Sequence, residues 1–143
     1  MSLVRDSNAP THARRFGKTR QARAASMLED LTELIDDLHA SRGEARVTDI
    51  ANHLGVAHPT ASKAIGRLKR EGLVVVEPYR GVFLTAAGRA MAERSRSRHR
   101  LVVDLLIAVG APREAAEADA EGIEHYVSEA TLSAFEAFLK RGV

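Results

Sequence analysis

Glu121, Glu124 and His125 stand at i, i+3 and i+4, a spacing that on an α-helix sets two carboxylates and an imidazole on one face. Such side chains ligate divalent metal ions. Asp30 and Glu33 repeat the i, i+3 spacing in an earlier segment with helical apolar periodicity, and His99 lies within a third, long helical run. If these residues meet, they form a cage of four carboxylates and two imidazoles without sulfur. That donor set suits Mn²⁺ or Fe²⁺, because carboxylates favour hard divalent ions while imidazole adds affinity for transition metals over Ca²⁺ or Mg²⁺. Acidic pairs at this spacing also decorate solvated helix faces, so the 121–125 cluster alone is a weak signal. Di-metal carboxylate proteins also draw Glu and His ligands from facing helices.

The elements that would position these residues belong to a small globular chain. Its 143 residues suffice for one domain or two small ones, and 45% hydrophobic content is enough for a core. With no Cys, disulfides, thiolate metal sites and cysteine nucleophiles are excluded. The N-terminus lacks the apolar core of a signal peptide, and no run approaches the roughly 18 apolar residues of a membrane span. A cytoplasmic protein with no membrane partner is expected. The net charge of +2 conceals four alternating blocks: +5 over residues 1–25, −4 over 26–42, +5 over 43–98 and −4 over 99–143. The basic middle block points to a polyanion partner. The acidic blocks hold the metal candidates, where mutual repulsion favours a bound cation or raised carboxylate pKa values.

Residues 1–25 are Arg-rich without an apolar face and are expected to form a mobile basic arm. Met27, Leu31, Leu34, Ile35 and Leu38 then predict an amphipathic helix from about Ser26 to Ser41. Thr48 is the expected N-cap of a short helix that stops at Gly55, and Pro59 fits the first turn of the next, which runs to about Glu71. Two short helices about a tight turn read as helix-turn-helix. The β-branched runs on either side of Pro78-Tyr79-Arg80-Gly81 read as a hairpin. Helix-turn-helix followed by a basic-tipped hairpin is a winged-helix DNA-binding domain, and double-stranded operator DNA is the expected partner. The expected contacts are Pro59, Thr60, Ser62, Lys63 and Arg67 on the recognition helix and Arg80 on the wing. Thr60 and Ser62 lie where base edges are reached, and Lys63, Arg67 and Arg80 suit phosphates. His12, His39 and His53 are read as structural or solvated.

Thr85 is the expected cap of a long helix that ends at Gly110, ahead of Pro112. Leu101, Val102, Val103, Leu105, Leu106, Ile107 and Val109 cover more than one of its faces, which predicts burial against other helices or a second subunit. A helix from about Pro112 carries the acidic cluster, and Ser128 caps a last helix with Leu132, Phe135 and Leu139 on one stripe.

Five stretches carry a family resemblance: Ser26-Met-Leu-Glu-Asp30-Leu-Thr-Glu33, Ala45-Arg-Val-Thr-Asp-Ile-Ala51, Pro78-Tyr-Arg-Gly-Val-Phe-Leu-Thr85, Arg98-His99 and Glu121-Gly-Ile-Glu-His125. In this order and spacing the chain resembles the manganese-responsive branch of the diphtheria-toxin-repressor family of transcriptional regulators. The resemblance implies a mainly α fold with a small β-hairpin: an N-terminal winged helix-turn-helix followed by a helical dimerisation domain, with no third SH3-like domain. The corresponding divisions are 1–25 for the arm, 26–90 for DNA binding, and 91–143 for metal binding and dimerisation. It implies metal roles for Asp30, Glu33, His99, Glu121, Glu124 and His125, one or two Mn²⁺ per chain, and a homodimer. Iron-responsive relatives carry Met and Cys where this chain has Glu33 and Glu124, and carboxylates favour the harder Mn²⁺.

The implied function is repression of manganese uptake genes when Mn²⁺ is bound. The alternatives are an Fe²⁺-responsive regulator of the same family and a winged-helix regulator not gated by metal. A di-metal hydrolase would also use bridging carboxylates, but the winged helix and the lack of a further base or nucleophile argue against an enzyme.

Overall fold

The structure is a computed structural model that describes the backbone of residues 8–142 and the side chains of residues 23–142. Six helices and one hairpin follow in the order α1 (Asn8–Arg42), α2 (Val47–Leu54), α3 (His58–Arg70), β1 (Val74–Glu77), β2 (Gly81–Leu84), α4 (Ala86–Ala108), α5 (Arg113–Ile123) and α6 (Glu129–Lys140). The chain divides into two compact units, Leu28–Arg98 and the residues from His99 onward, the latter grouped with α1 up to Met27.

α1 corrects one expectation. It begins at Asn8 rather than near Ser26, so residues 8–25 of the expected arm are helical; Met1–Ser7 lie outside the described residues. An apolar stripe is not required for this extension. The added stretch is rich in Ala and Arg, which lose little on entering a helix, and lengthening an existing helix needs no new nucleus.

In the first unit, Leu28, Leu31, Ile35 and Leu38 form the buried stripe of α1 and pack with Ile50, Ile65, Leu68, Leu73, Val82 and Leu84. Each fully buried Leu or Ile contributes roughly 1.5–3 kcal/mol. α2 starts one residue before the expected cap: Arg46 is its N-cap, and the Asp49 carboxylate accepts the Arg46 backbone N–H at 3.2 Å. Gly55 ends α2 with φ 67°, a left-handed conformation that costs glycine little. Pro59 falls in the first turn of α3 as expected.

The hairpin pairs Val74 with Leu84 and Glu77 with Gly81. Two bonds tie β2 to α1 and the loop after it: Val82 N–H donates to the Ala45 carbonyl at 2.8 Å, and His39 Nε2–H donates to the Val82 carbonyl at 2.7 Å. His39, also stacked on Phe83 with ring centroids 5.0 Å apart, is therefore structural. Arg96 on α4 reaches Asp36 at 2.6 Å and Asp37 at 2.7 Å, and Arg98 reaches Glu29 at 3.2 Å. The repulsion expected within the acidic block 26–42 is thus offset by arginines from α4.

In the second unit, Val102 and Val103 of α4 pack with Ala116 and Ala120 of α5 and Leu132 of α6. Ser128 caps α6, accepting the Thr131 N–H at 3.2 Å. The apolar half of α4 is only partly buried by these neighbours: Val109 keeps 66% of its surface exposed, and Tyr126 beyond α5 keeps 54%.

The junction between hairpin and α4 supplies a test. Thr85 caps α4 by accepting the Gly88 N–H at 3.1 Å, and a Cβ at Gly88 would collide with the Leu73 carbonyl oxygen. Gly88→Ala is expected to destabilise the protein by about 1–3 kcal/mol, the usual cost of overpacking, read as a lower urea midpoint. An unchanged midpoint would show that the β1–α4 contact yields freely.

Candidate metal centre and nucleic-acid interface

α4 and α5 bring three of the six metal candidates together. Ala116 and Ala120, both fully buried, face Val102 and Val103 and let the two helices approach closely. His99, one turn before Val102 and Val103, then lies opposite the C-terminal end of α5. Its Nδ1 is 2.6 Å from Glu124 Oε2 and 3.6 Å from Glu121 Oε1. One donor atom from each of His99, Glu121 and Glu124 falls within 4.8 Å of the other two.

The local backbone differs from the expected single helical face. α5 ends at Ile123; Glu124 is its C-cap, still with helical φ −56° and ψ −31°, and His125 follows in the turn. Glu121 alone of the three sits inside the helix. The side-chain convergence survives because Glu124 N–H still donates to the Ala120 carbonyl at 3.0 Å. His125 Nε2 stands 3.4 Å from Glu124 Oε1, so an imidazole lies on each side of this carboxylate.

Glu124 is only 2% exposed. Burial pushes its carboxyl up to about 6, against the opposing pull of the His99 hydrogen bond. Burial alone would lower the His99 imidazolium, but its hydrogen bonds to Glu117 and Glu124 outweigh that and raise it above the ordinary histidine range. The donors are carboxylate oxygens and imidazole nitrogens, the set that Mn²⁺ or Fe²⁺ accepts, and a cation there would relieve the buried carboxylate. The residues fit a divalent metal ion.

Asp30 and Glu33 lie in the first unit, on α1. Asp30 is exposed; Glu33 is half-buried and accepts a hydrogen bond from Ser95 Oγ. On α3, Ala61, Ile65 and Leu68 are buried, whereas Pro59, Thr60, Ser62 and Lys63 are exposed and Arg67 half-buried. The expected contact residues therefore lie away from the core. Arg80 at the wing is 72% exposed, with its guanidinium 3.1 Å from Glu77 and 5.6 Å from the centre of the Phe83 ring.

Two residues escaped the sequence reading. Glu117, one helical turn before Glu121, accepts from His99 Nε2–H at 2.8 Å; its i, i+4 relation to Glu121 was the available signal. Tyr79 at the wing tip has φ 65° and is 95% exposed, a conformation rare for a bulky residue and unreadable from residue type.

Two repressor-family models match successive parts of the chain. The iron-dependent repressor N-terminal DNA-binding domain matches residues 25–82, and the metal-binding and dimerisation domain of the same repressors matches residues 85–141. Over 134 residues the chain is 45% identical to the transcriptional regulator MntR of Escherichia coli O6:H1, covering 94% of this chain and 86% of that protein. It is 40% identical over 101 residues to the HTH-type transcriptional regulator MntR of Lysinibacillus sphaericus, covering 71% and 73%. A manganese-dependent transcriptional repressor solved in complex with manganese superposes with a TM-score of 0.68 at 30% identity, over 79% of this chain and 52% of that one. The chain thus spans about half the length of that repressor.

Glu124 makes a pH-dependent prediction for the metal-free protein. Its folded pKa, about 6, lies above the ordinary value of 4.5, so the fold favours the protonated form. That contribution is fully present below pH 4.5 and is lost as pH rises through about 6. Glu124→Gln, which cannot ionise, is therefore expected to gain stability relative to the parent between pH 5 and pH 7, by roughly 1–2 kcal/mol. Chemical denaturation in chelator at both pH values measures the difference; no change with pH would contradict the raised pKa.

Proposed function

The chain belongs to the iron-dependent repressor family, the diphtheria-toxin-repressor family of metal-responsive DNA-binding transcriptional regulators, and from that premise we propose that it is a Mn²⁺-dependent repressor of manganese uptake genes. It is a transcriptional regulator rather than an enzyme. The observation that carries the choice of ion is the all-oxygen-and-imidazole set of His99, Glu121 and Glu124 within 4.8 Å, which contains no soft sulfur donor.

In this reading, Asp30, Glu33 and His125 complete the ligand set. A bound Mn²⁺ supplies positive charge among carboxylates that otherwise repel or hold protons. Residues holding the ion would need Glu124 as a carboxylate and His99 with a neutral nitrogen, so metal binding would release protons. Asp30 and Glu33 come from the DNA-binding part of the chain, and the other four ligands come from the dimerisation part. An ion held by both sets of residues would couple the two parts, and the metal-bound population would be the one that matches the operator.

On the DNA, α3 offers Thr60 and Ser62 to base edges and Lys63 and Arg67 to phosphates, with Pro59 starting the helix and Arg80 reaching from the wing. The exposed Val109 and Tyr126 support homodimerisation through the helical part, since uncovered apolar surface of this kind marks protein contacts. No described helix is long and apolar enough to cross a membrane, and the proposed site of action is the cytoplasm.

Fluorescence anisotropy on promoter DNA of the host's manganese importer gene, at fixed salt, tests the proposal. Addition of Mn²⁺ to chelated protein is expected to tighten binding by about 5- to 150-fold, the usual span of allosteric coupling. Asp30→Ala and Glu124→Ala should each abolish most of that gain while leaving metal-free binding unchanged. Equal affinity with and without Mn²⁺ would remove metal gating, and full Mn²⁺ dependence in both variants would remove the assigned ligands.

A further inference from the structure

His99 is held at both ring nitrogens. Nδ1 faces the cluster, 2.6 Å from Glu124 and 3.6 Å from Glu121, while Nε2 points the opposite way, 2.8 Å from Glu117 Oε2. An imidazole that ligates through one nitrogen must carry its proton on the other, and a carboxylate accepting that N–H fixes both tautomer and ring orientation. Glu117 is placed to do this. It sits on α5 one turn before Glu121, so the helix that supplies Glu121 also supplies the group aiming His99 at it. The Glu117 side chain is half-exposed, and its other oxygen is 3.9 Å from Arg113 Nη1, one turn earlier on the same helix.

We propose that Glu117 is a positioning residue that holds His99 as the Nε2–H tautomer and so directs Nδ1 toward the metal. This inference rests on the proposed metal-binding reading, but its first readout does not require metal. Glu117 reaches the cluster through the His99 ring, and its role is exerted through His99.

The test uses full-length protein and three variants: Glu117→Ala, which removes the acceptor; Glu117→Gln, whose amide oxygen still accepts Nε2–H; and Glu114→Gln, which removes a nearby charge from the same helix. In chelator Glu124, 2.6 Å from Nδ1, competes for the single ring proton, and long-range ¹H–¹⁵N NMR of the imidazoles, above the pH at which His99 becomes neutral, reads whether Glu117 holds it on Nε2. Titration calorimetry with MnCl₂ reads affinity. Glu117→Ala is expected to lose the fixed Nε2–H tautomer and to bind Mn²⁺ about 10- to 100-fold more weakly, the usual cost of removing an outer partner of a ligating histidine. Glu117→Gln should retain the tautomer and most of the affinity, and Glu114→Gln should match the parent.

An unchanged tautomer in Glu117→Ala overturns the proposal. Equal losses of Mn²⁺ affinity in all three variants would overturn it too, because charge alone would then explain the effect. If the parent itself failed to bind Mn²⁺ while Glu117→Ala still lost the tautomer, the metal reading would fall and the orienting contact would stand.

Discussion

A carboxylate withdrawn from water must be protonated, paired or bound to a cation, because an isolated buried charge is among the costliest features a fold can carry. Glu124, at 2% exposure, imposes that condition on the helical part of this protein. It is met by imidazoles on both sides, His99 at 2.6 Å and His125 at 3.4 Å. The fully buried Ala116 and Ala120 let α5 lie close to α4, and their packing against Val102 and Val103 sets the rotation of both helices. Because α5 stops at Ile123, His125 leaves the helix and approaches Glu124 from the turn.

The winged-helix part rests on a simpler constraint, the separation of one helix into two faces. Ala61, Ile65 and Leu68 commit one side of α3 to the core, and this leaves Thr60, Ser62 and Lys63 in solvent. The hairpin is tied to α1 and the loop that follows it, because Val82 is bonded to Ala45 through its N–H and to His39 through its carbonyl. Arg96 and Arg98 secure α4 to α1 through Asp36, Asp37 and Glu29. The Arg96 pairs are partly exposed and individually worth little, whereas Arg98 and Glu29 are largely buried. Their greater effect is to neutralise an acidic stretch that also carries Asp30 and Glu33.

Much of this was legible in the linear pattern, for identifiable reasons. Helix-turn-helix and wing follow from local punctuation: Gly55, Pro59, Gly72 and Gly81 mark the boundaries, and period-2 and helical apolar spacing separate strand from helix. Ser128 and Thr85 were readable as caps because capping is a contact between near neighbours. The donor types of the candidate site were readable because carboxylates favour hard divalent ions and imidazole adds affinity for transition metals, and those residue types recur at i, i+3 and i+4. The start of α1 was not readable from amphipathicity, since a helix of Ala, Arg and Gln can extend without an apolar stripe.

The sequence by itself determined the elements, the winged-helix order and the chemical class of the donors, because each depends on residue type and short-range spacing. Only the tertiary structure decided which donors meet. The approach of His99 to Glu124 joins residues on two helices through a core of small side chains, and nothing local encodes that distance. The same packing turned Glu117, an ordinary surface acid in the sequence, into the partner of His99 Nε2, and made His39 a tie to β2. It also left Tyr79 in left-handed backbone at the wing tip. These are consequences of long-range packing, which selects one arrangement among many that the local pattern permits equally.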